Sequence, residues 1–306
     1  MSQVLGQSLL EAGREAIDRR AWREAFDIFT KASLQEPLGP EDLDRLADAA
    51  WWTGRLEENI EARQKAYAGY LKNDQPRQAA QAAVFLARDY MGKLAQSMAG
   101  GWANTAERLL AGEPESPEHG QLYLLKAFMA SHGGDHEASS KHADKLLEIG
   151  TRFGDRDLQA YGLMFQGRVL LAQGEVDKGL ALLDEATVAA VSGELGPQAT
   201  GLIYCMAITS TSSLRDYRRA GEWTEAAKRW CERQSISGFP GHCRVLRAEI
   251  IQLKGSWAEA ESDVRLAFNE LKDFNLELAG EALYELGEIR RRMGDLRAAE
   301  EAFRQA

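Results

Sequence analysis

The stretch Ala220-Gly221-Glu222-Trp223-Thr224-Glu225-Ala226-Ala227 contains the parts of a tight bend between two antiparallel helices. Gly221 relaxes the backbone, Trp223 is a bulky wedge, and Ala226 is small enough for two helices to touch. The pattern of a wedge followed three residues later by a small side chain recurs through the chain. The wedges are Trp22, Leu56, Trp102, His136, Val176, Trp223, Trp257 and Leu296. The small anchors are Ala25, Asn59, Thr105, Ser139, Gly179, Ala226, Ala260 and Ala299. Eight bends in 306 residues restrict the chain to an array of helical hairpins, each burying its apolar face on its neighbours. No run of alternating β-branched residues is long enough for a strand, and only 7 prolines interrupt a chain that is 44% hydrophobic.

Prolines and glycines place the hairpins near 3–36, 40–73, 76–112, 117–152, 155–192, 197–236, 239–273 and 275–306. The first bend falls at Arg20-Ala21, and later ones at Gly133-Gly134-Asp135, Gly174, Gly255 and Gly294. In the third hairpin the reading expects an irregular segment through Gly100-Gly101 before the bend. The anchor spacings are then 34, 46, 34, 40, 47, 34 and 39. Two successive triplets each sum to 120, which suggests a three-hairpin block occurring twice, at 59–178 and 179–298. The last helix, Leu296 to Ala306, keeps Phe303 on its apolar stripe. That stripe suggests either a longer protein or cover from a partner, including a second copy of the chain.

Small residues also stand about twelve positions before the anchors: Gly13, Ala47, Ala127, Gly167, Ala248 and Gly287. With the bends, these positions resemble the close-contact sites of a tetratricopeptide repeat, and the resemblance covers nearly the whole chain. It implies an all-α, right-handed solenoid of about eight hairpins, read as one domain over 1–306. The segment from Trp230 through Cys231, Phe239-Pro240-Gly241, His242, Cys243 and Arg244, followed by Arg247-Ala248-Glu249, is similar to a stretch in tetratricopeptide regions of bacterial signalling proteins. Many of these precede a LuxR-type helix-turn-helix domain. Ala87-Arg88-Asp89-Tyr90 and Leu183-Asp184-Glu185-Ala186 resemble strings of the same group. The resemblance implies a cytosolic regulatory region that senses a ligand or docks a partner. No helix-turn-helix follows Ala306, so transcriptional output is not implied for this chain by itself.

Charge and motifs narrow the function. A net charge of -10, with Arg290-Arg291-Arg292 as the longest basic run, argues against direct nucleic-acid binding. The chain shows no signal peptide and no apolar stretch of membrane-spanning length. Phosphate-loop, dinucleotide, zinc-protease and serine-hydrolase motifs are missing, so the expectation is a non-catalytic protein without a cofactor. His119, His132, His136 and His142 cluster in sequence at the fourth bend, where the repeat itself accounts for them, and no metal site is assigned there. Cys205, Cys231 and Cys243 lie on consecutive helices and read as small apolar packing residues of a reduced protein.

The resemblance implies that the first helix of each hairpin lines the concave side, with residues three before and one after the close-contact position pointing inward. This gives Leu124 and Phe128, Met164 and Arg168, Tyr204 and Ile208, Val245 and Glu249, and Tyr284 and Glu288. Tyr161 and His242 lie six residues before their contact positions, and Arg88 is chosen in the third hairpin. The expected binding residues are therefore Arg88, Phe128, Tyr161, Met164, Arg168, Tyr204, His242, Glu249 and Tyr284. Arg168 offers a pairing group for an anion. Three roles suit such a groove: the sensing region of a transcriptional regulator, a free-standing adaptor for a peptide or protein, and a small-molecule binder or enzyme.

Overall fold

The computed structural model describes the backbone of residues 2–234 and 240–306, and the side chains of residues 8–233 and 243–306. All regular structure among the described residues is helical. The helices are α1 (Ser2–Asp18), α2 (Trp22–Ser33), α3 (Pro40–Trp52), α4 (Leu56–Lys72), α5 (Pro76–Gly92), α6 (Gln96–Leu110), α7 (Pro117–His132) and α8 (His136–Phe153). They continue as α9 (Arg156–Ala172), α10 (Val176–Ser192), α11 (Pro197–Ser213), α12 (Tyr217–Gln234), α13 (Pro240–Leu253), α14 (Trp257–Leu271), α15 (Leu276–Met293) and α16 (Leu296–Gln305). Proline opens α3, α5, α7, α11 and α13. The first helical position needs no N–H, and the ring presets its φ.

Every hairpin bends in the same way. The residue at the corner takes a left-handed conformation: Arg20, Gly54, Leu94, Gly134, Gly174, Arg215, Gly255 and Gly294 all have φ between 57° and 86°. The residue after each corner donates its N–H to the carbonyl five residues earlier. Examples are Arg55 to Ala50 at 2.8 Å, Ala95 to Tyr90 at 2.9 Å and Asp216 to Thr211 at 3.0 Å. This bond closes the first helix and satisfies one of its orphaned carbonyls.

The common bend corrects the sequence reading in two hairpins. Gly100 and Gly101 lie inside α6, whose bend is at Leu94, and Gly221 and Trp223 lie inside α12, whose bend is at Arg215. Trp102 is no wedge. It packs edge-on against Tyr67 with ring centroids 5.0 Å apart. The anchors of these hairpins are Ala99 and Ala220, both fully buried, while Thr105 and Ala226 are half-buried. The anchors then stand at 25, 59, 99, 139, 179, 220, 260 and 299, so after the first interval the repeat is steady at 39–41 residues. The uneven spacings that suggested a three-hairpin duplication disappear, because each 120-residue stretch is simply three similar hairpins.

Where the anchor is not alanine, the structure shows what takes its place. Asn59 is buried and its Nδ2 donates to Asp89 Oδ2 at 2.6 Å, tying α4 to α5. Ser139 turns its hydroxyl to the Ala127 carbonyl at 3.4 Å. At Gly179 and Gly167 the two backbones meet. A Cβ on Gly167 would lie 2.8 Å from the Gly179 carbonyl oxygen, and the reverse distance is 2.7 Å.

The chain forms two compact units. Unit 1 comprises Met1–Glu113, Cys231–Arg244 and Glu261–Ala306. Within it α1 to α6 pack in succession and α15 pairs with α16. One core gathers Ala16, Ala25, Phe26, Phe29, Ala49 and Ala50, capped by Trp22 stacked on Trp52 at 5.3 Å. A second joins Leu56, Ile60 and Leu86 to Tyr90, Trp102 and Phe274. Phe274 precedes α15, and its ring meets Trp51 at 5.6 Å. Asn275 crosses Gly92 so closely that a Cβ there would lie 3.1 Å from the Asn275 amide nitrogen. The connection between α14 and α15 therefore seats on α3 and α5 of the same unit. The apolar stripe on α16 is engaged within its own hairpin, with Phe303 against the Tyr284 ring at 5.6 Å and over Gly287.

Unit 2 comprises Pro114–Trp230 and Val245–Ala260. Here α7 to α11 pack in succession, and the first helices also touch one another, α7 with α9 and α9 with α11. Their core includes Leu146, Ile149, Leu158, Met164, Phe165 and Ile203. Full burial of each such side chain contributes on the order of 1.5–3 kcal/mol.

Candidate ligand-binding face

With the bends placed, the close-contact positions are Gly13, Ala47, Ala87, Ala127, Gly167, Ile208, Ala248 and Gly287, all buried. The residue after each marks one register along the first helices. In chain order these residues are Arg14, Asp48, Arg88, Phe128, Arg168, Thr209, Glu249 and Glu288. All but the exposed Arg14 are half-buried. Charged groups therefore recur at one register, and what each one faces separates the two units.

In unit 1 the charges are engaged by the protein itself. Arg14 grips Asp42 with Nε at 2.9 Å and Nη2 at 2.7 Å. Asp48 accepts from Arg63 at 2.6 Å, and Arg63 also donates to Asp44 at 2.8 Å. Arg63 is only 2% exposed and lies over the Phe85 ring. Burial alone would lower its pKa, but Asp48 and Asp44 hold it above the ordinary value. Burial pushes the Asp44 carboxyl up even with Arg63 beside it, and it pushes Asp89 up as well. Tyr70 donates to Asp44 at 2.8 Å. Arg88 is sandwiched between Trp51 and Phe85, about 5.0 Å from each ring. Glu288 accepts from Arg291 at 2.8 Å. Tyr284 is 57% exposed apart from its contact with Phe303.

In unit 2 the register reads Phe128, Arg168, Thr209, Glu249. Phe128 lies on His132, with ring centroids 4.3 Å apart, and edge-on to Phe165 at 6.4 Å. Arg168 directs Nη1 at the Met206 sulfur, a weak acceptor without charge. It forms no ion pair among the described residues, and burial lowers its pKa with no carboxylate to offset the loss of water. Thr209 returns its hydroxyl to the Cys205 carbonyl at 2.8 Å. Glu249 has no hydrogen bond or ion pair among the described residues, and burial raises its carboxyl.

The remaining expected residues fall elsewhere. Met164 is 0% exposed and Tyr204 2% exposed, and Tyr161 is also buried, so these three are closed to solvent. The side chain of His242 lies outside the described residues. The sequence reading was one residue out of step in the sixth hairpin, where it chose Tyr204 and Ile208. An even repeat of about 40 residues would have pointed to Thr209.

Two of the clustered histidines serve the fold. His119 Nδ1 accepts from the Ser116 N–H at 3.2 Å and caps α7, and His142 leans on Tyr123. Cys231 and Cys243 meet in unit 1, where the hydrogen bond between them and burial both raise the Cys231 thiol well above its ordinary range. A hollow of about 620 Å³ lies at the first bend, lined by Trp22, Asp27, Lys31 and Trp52 among others, away from the register described above. No described helix is long and apolar enough to cross a membrane.

No protein-family model matches the sequence, and neither does any curated protein. Solved structures do match the fold. One is a signal-transduction ATPase with numerous domains, a protein with a tetratricopeptide repeat sensor, from Pyrococcus horikoshii. It matches with a TM-score of 0.53 and 15% identity over 99% of this chain. The chain spans 47% of that protein's length. Another is the apo form of RapI, with a TM-score of 0.53 and 14% identity over 87% of this chain and 95% of RapI. At such identities the likeness shows the fold alone: helical hairpins stacked in the manner of tetratricopeptide-repeat proteins.

Proposed function

We propose that the chain is a non-catalytic binding module that recognises an extended peptide, either free or part of a partner protein, on the first-helix face of unit 2. The observation that supports this most directly is the pair Arg168 and Glu249. They are two half-buried charges of opposite sign at one repeat register, and neither has an internal counter-ion among the described residues. Such a face suits reversible recognition, because a partner supplies what the protein lacks. The likeness to a structure containing a tetratricopeptide repeat sensor favours a sensing role, and the resemblance to bacterial regulators favours the regulatory region of a transcriptional regulator or signalling protein.

The test is selection of displayed random peptides on the purified protein, followed by titration calorimetry of the best binder. Phe128→Ser on the first-helix face should weaken binding at least tenfold, the usual effect of losing an apolar anchor. Val188→Ser, at an exposed position of α10, should leave it unchanged. Failure to select any peptide, or the opposite dependence on the two substitutions, would overturn the reading.

A further inference from the structure

The same register in unit 1 provides an internal control for unit 2. At that register Arg14, Asp48 and Glu288 each hold an opposite charge within 2.6–2.8 Å. Each of them has its counter-charge within the protein. Arg168 and Glu249 occupy the equivalent positions, are half-buried, and have no such partner among the described residues. An apolar side chain at either position would pack without losing hydration. Between them Thr209 presents a hydroxyl, and beyond Arg168 stands the Phe128 ring. In chain order the register therefore reads apolar, cationic, hydroxyl, anionic over successive hairpins.

We propose that unit 2 is built for a dipolar peptide segment. An acidic group of the ligand sits on Arg168, a basic group sits on Glu249, and an apolar side chain flanks the acidic group on the Phe128 side. This assignment rests on the peptide-binding reading above and goes beyond it by fixing the charge order of the ligand. The guanidinium offers a planar fork for two carboxylate oxygens, and Glu249 accepts from an ammonium or guanidinium. A wholly acidic or wholly basic peptide would leave one of the two protein charges buried and unpaired in the complex, so the site rejects both.

The experiment repeats the displayed-peptide selection on wild-type protein, on Arg168→Glu and on Glu249→Lys, each checked by circular dichroism for intact helix content. Wild-type selections should carry one acidic and one basic residue with an apolar residue beyond the acidic one. The best wild-type peptide should bind each variant at least tenfold more weakly. A synthetic peptide with its two charges exchanged should bind the double variant Arg168→Glu/Glu249→Lys more tightly than it binds wild type. Arg168→Met, which keeps the packing and removes the charge, should also lose the acidic preference. Peptides that bind wild type and both single variants equally would overturn this inference and leave the peptide-binding reading intact. No selected peptide at all would overturn both.

Discussion

Replacing Arg63 by methionine probes the buried charge network of unit 1 most severely. Methionine fills much of the same volume but removes both bonds to Asp44 and Asp48, at 2.8 and 2.6 Å, and the contact with Phe85. The two carboxylates remain, with Asp44 still accepting from Tyr70. Removing one member of a buried ion cluster costs about 3–5 kcal/mol, because the charges left behind have lost both water and partner. The loss should depend on pH. Asp44 already lies above the ordinary carboxylate range in the folded protein because of burial. Without the guanidinium, which holds it down, Asp44 should move higher still. A carboxyl whose folded pKa exceeds its unfolded value destabilises the fold above that pKa and ceases to do so as pH falls through it. The deficit of Arg63→Met should therefore be full at about pH 7 and shrink towards about pH 5, in the window opened by carboxyls raised above their usual value of about 4. Urea denaturation followed by far-UV circular dichroism measures it at each pH. Neutralising the stranded acids as well, in Arg63→Met/Asp44→Asn/Asp48→Asn, should restore about 2 kcal/mol or more. A deficit below about 1 kcal/mol that is the same at both pH values would refute the reasoning.

Other substitutions test the packing. Gly100→Ala and Gly221→Ala should each stabilise the chain by about 0.5–1 kcal/mol in chemical denaturation, because both lie inside helices where an added methyl meets at most one atom, at 3.9 Å. A loss at Gly221 would return the bend to that residue. Leu94→Gly and Arg215→Gly should also stabilise, by about 1 kcal/mol each, by relieving side chains held at φ 57° and 60°. Gly167→Ala should cost about 1–3 kcal/mol, since its new methyl would press on the Gly179 backbone rather than on a movable side chain. Phe274→Ala should cost about 2 kcal/mol and speed amide exchange in α15 before α8, because it empties the seat of that hairpin on α3 and α5.

The hairpin architecture was readable because a 3.6-residue apolar period, proline starts and glycine corners all act locally. The sequence reading slipped at two corners that lack glycine. Leu94 and Arg215 carry the same left-handed bend as Gly54 or Gly174, but their side chains do not announce it. The glycines at 100–101 and 221 then drew the bend six residues too far along. In the sixth hairpin the face was also read one residue early, at Ile208 instead of Thr209. Phe128, Arg168 and Glu249 were found because their hairpins kept the regular frame. Which of those charges have partners was not legible, since the deciding groups lie far away in sequence: Asp42 is 28 residues from Arg14, and Asp48 is 15 from Arg63. The seating of Phe274 on Trp51 joins positions more than two hundred residues apart, beyond the reach of any local period. The exposure of Tyr284 and the burial of Met164 likewise follow from neighbouring hairpins rather than from their own helices.

A crystal structure of the whole chain with its best selected peptide addresses the central claim most directly. The account predicts a peptide carboxylate within about 3 Å of the Arg168 guanidinium and a basic group on Glu249, with an apolar side chain against Phe128. A peptide lodged along the second helices, or on unit 1 with Arg168 and Glu249 untouched, would contradict it.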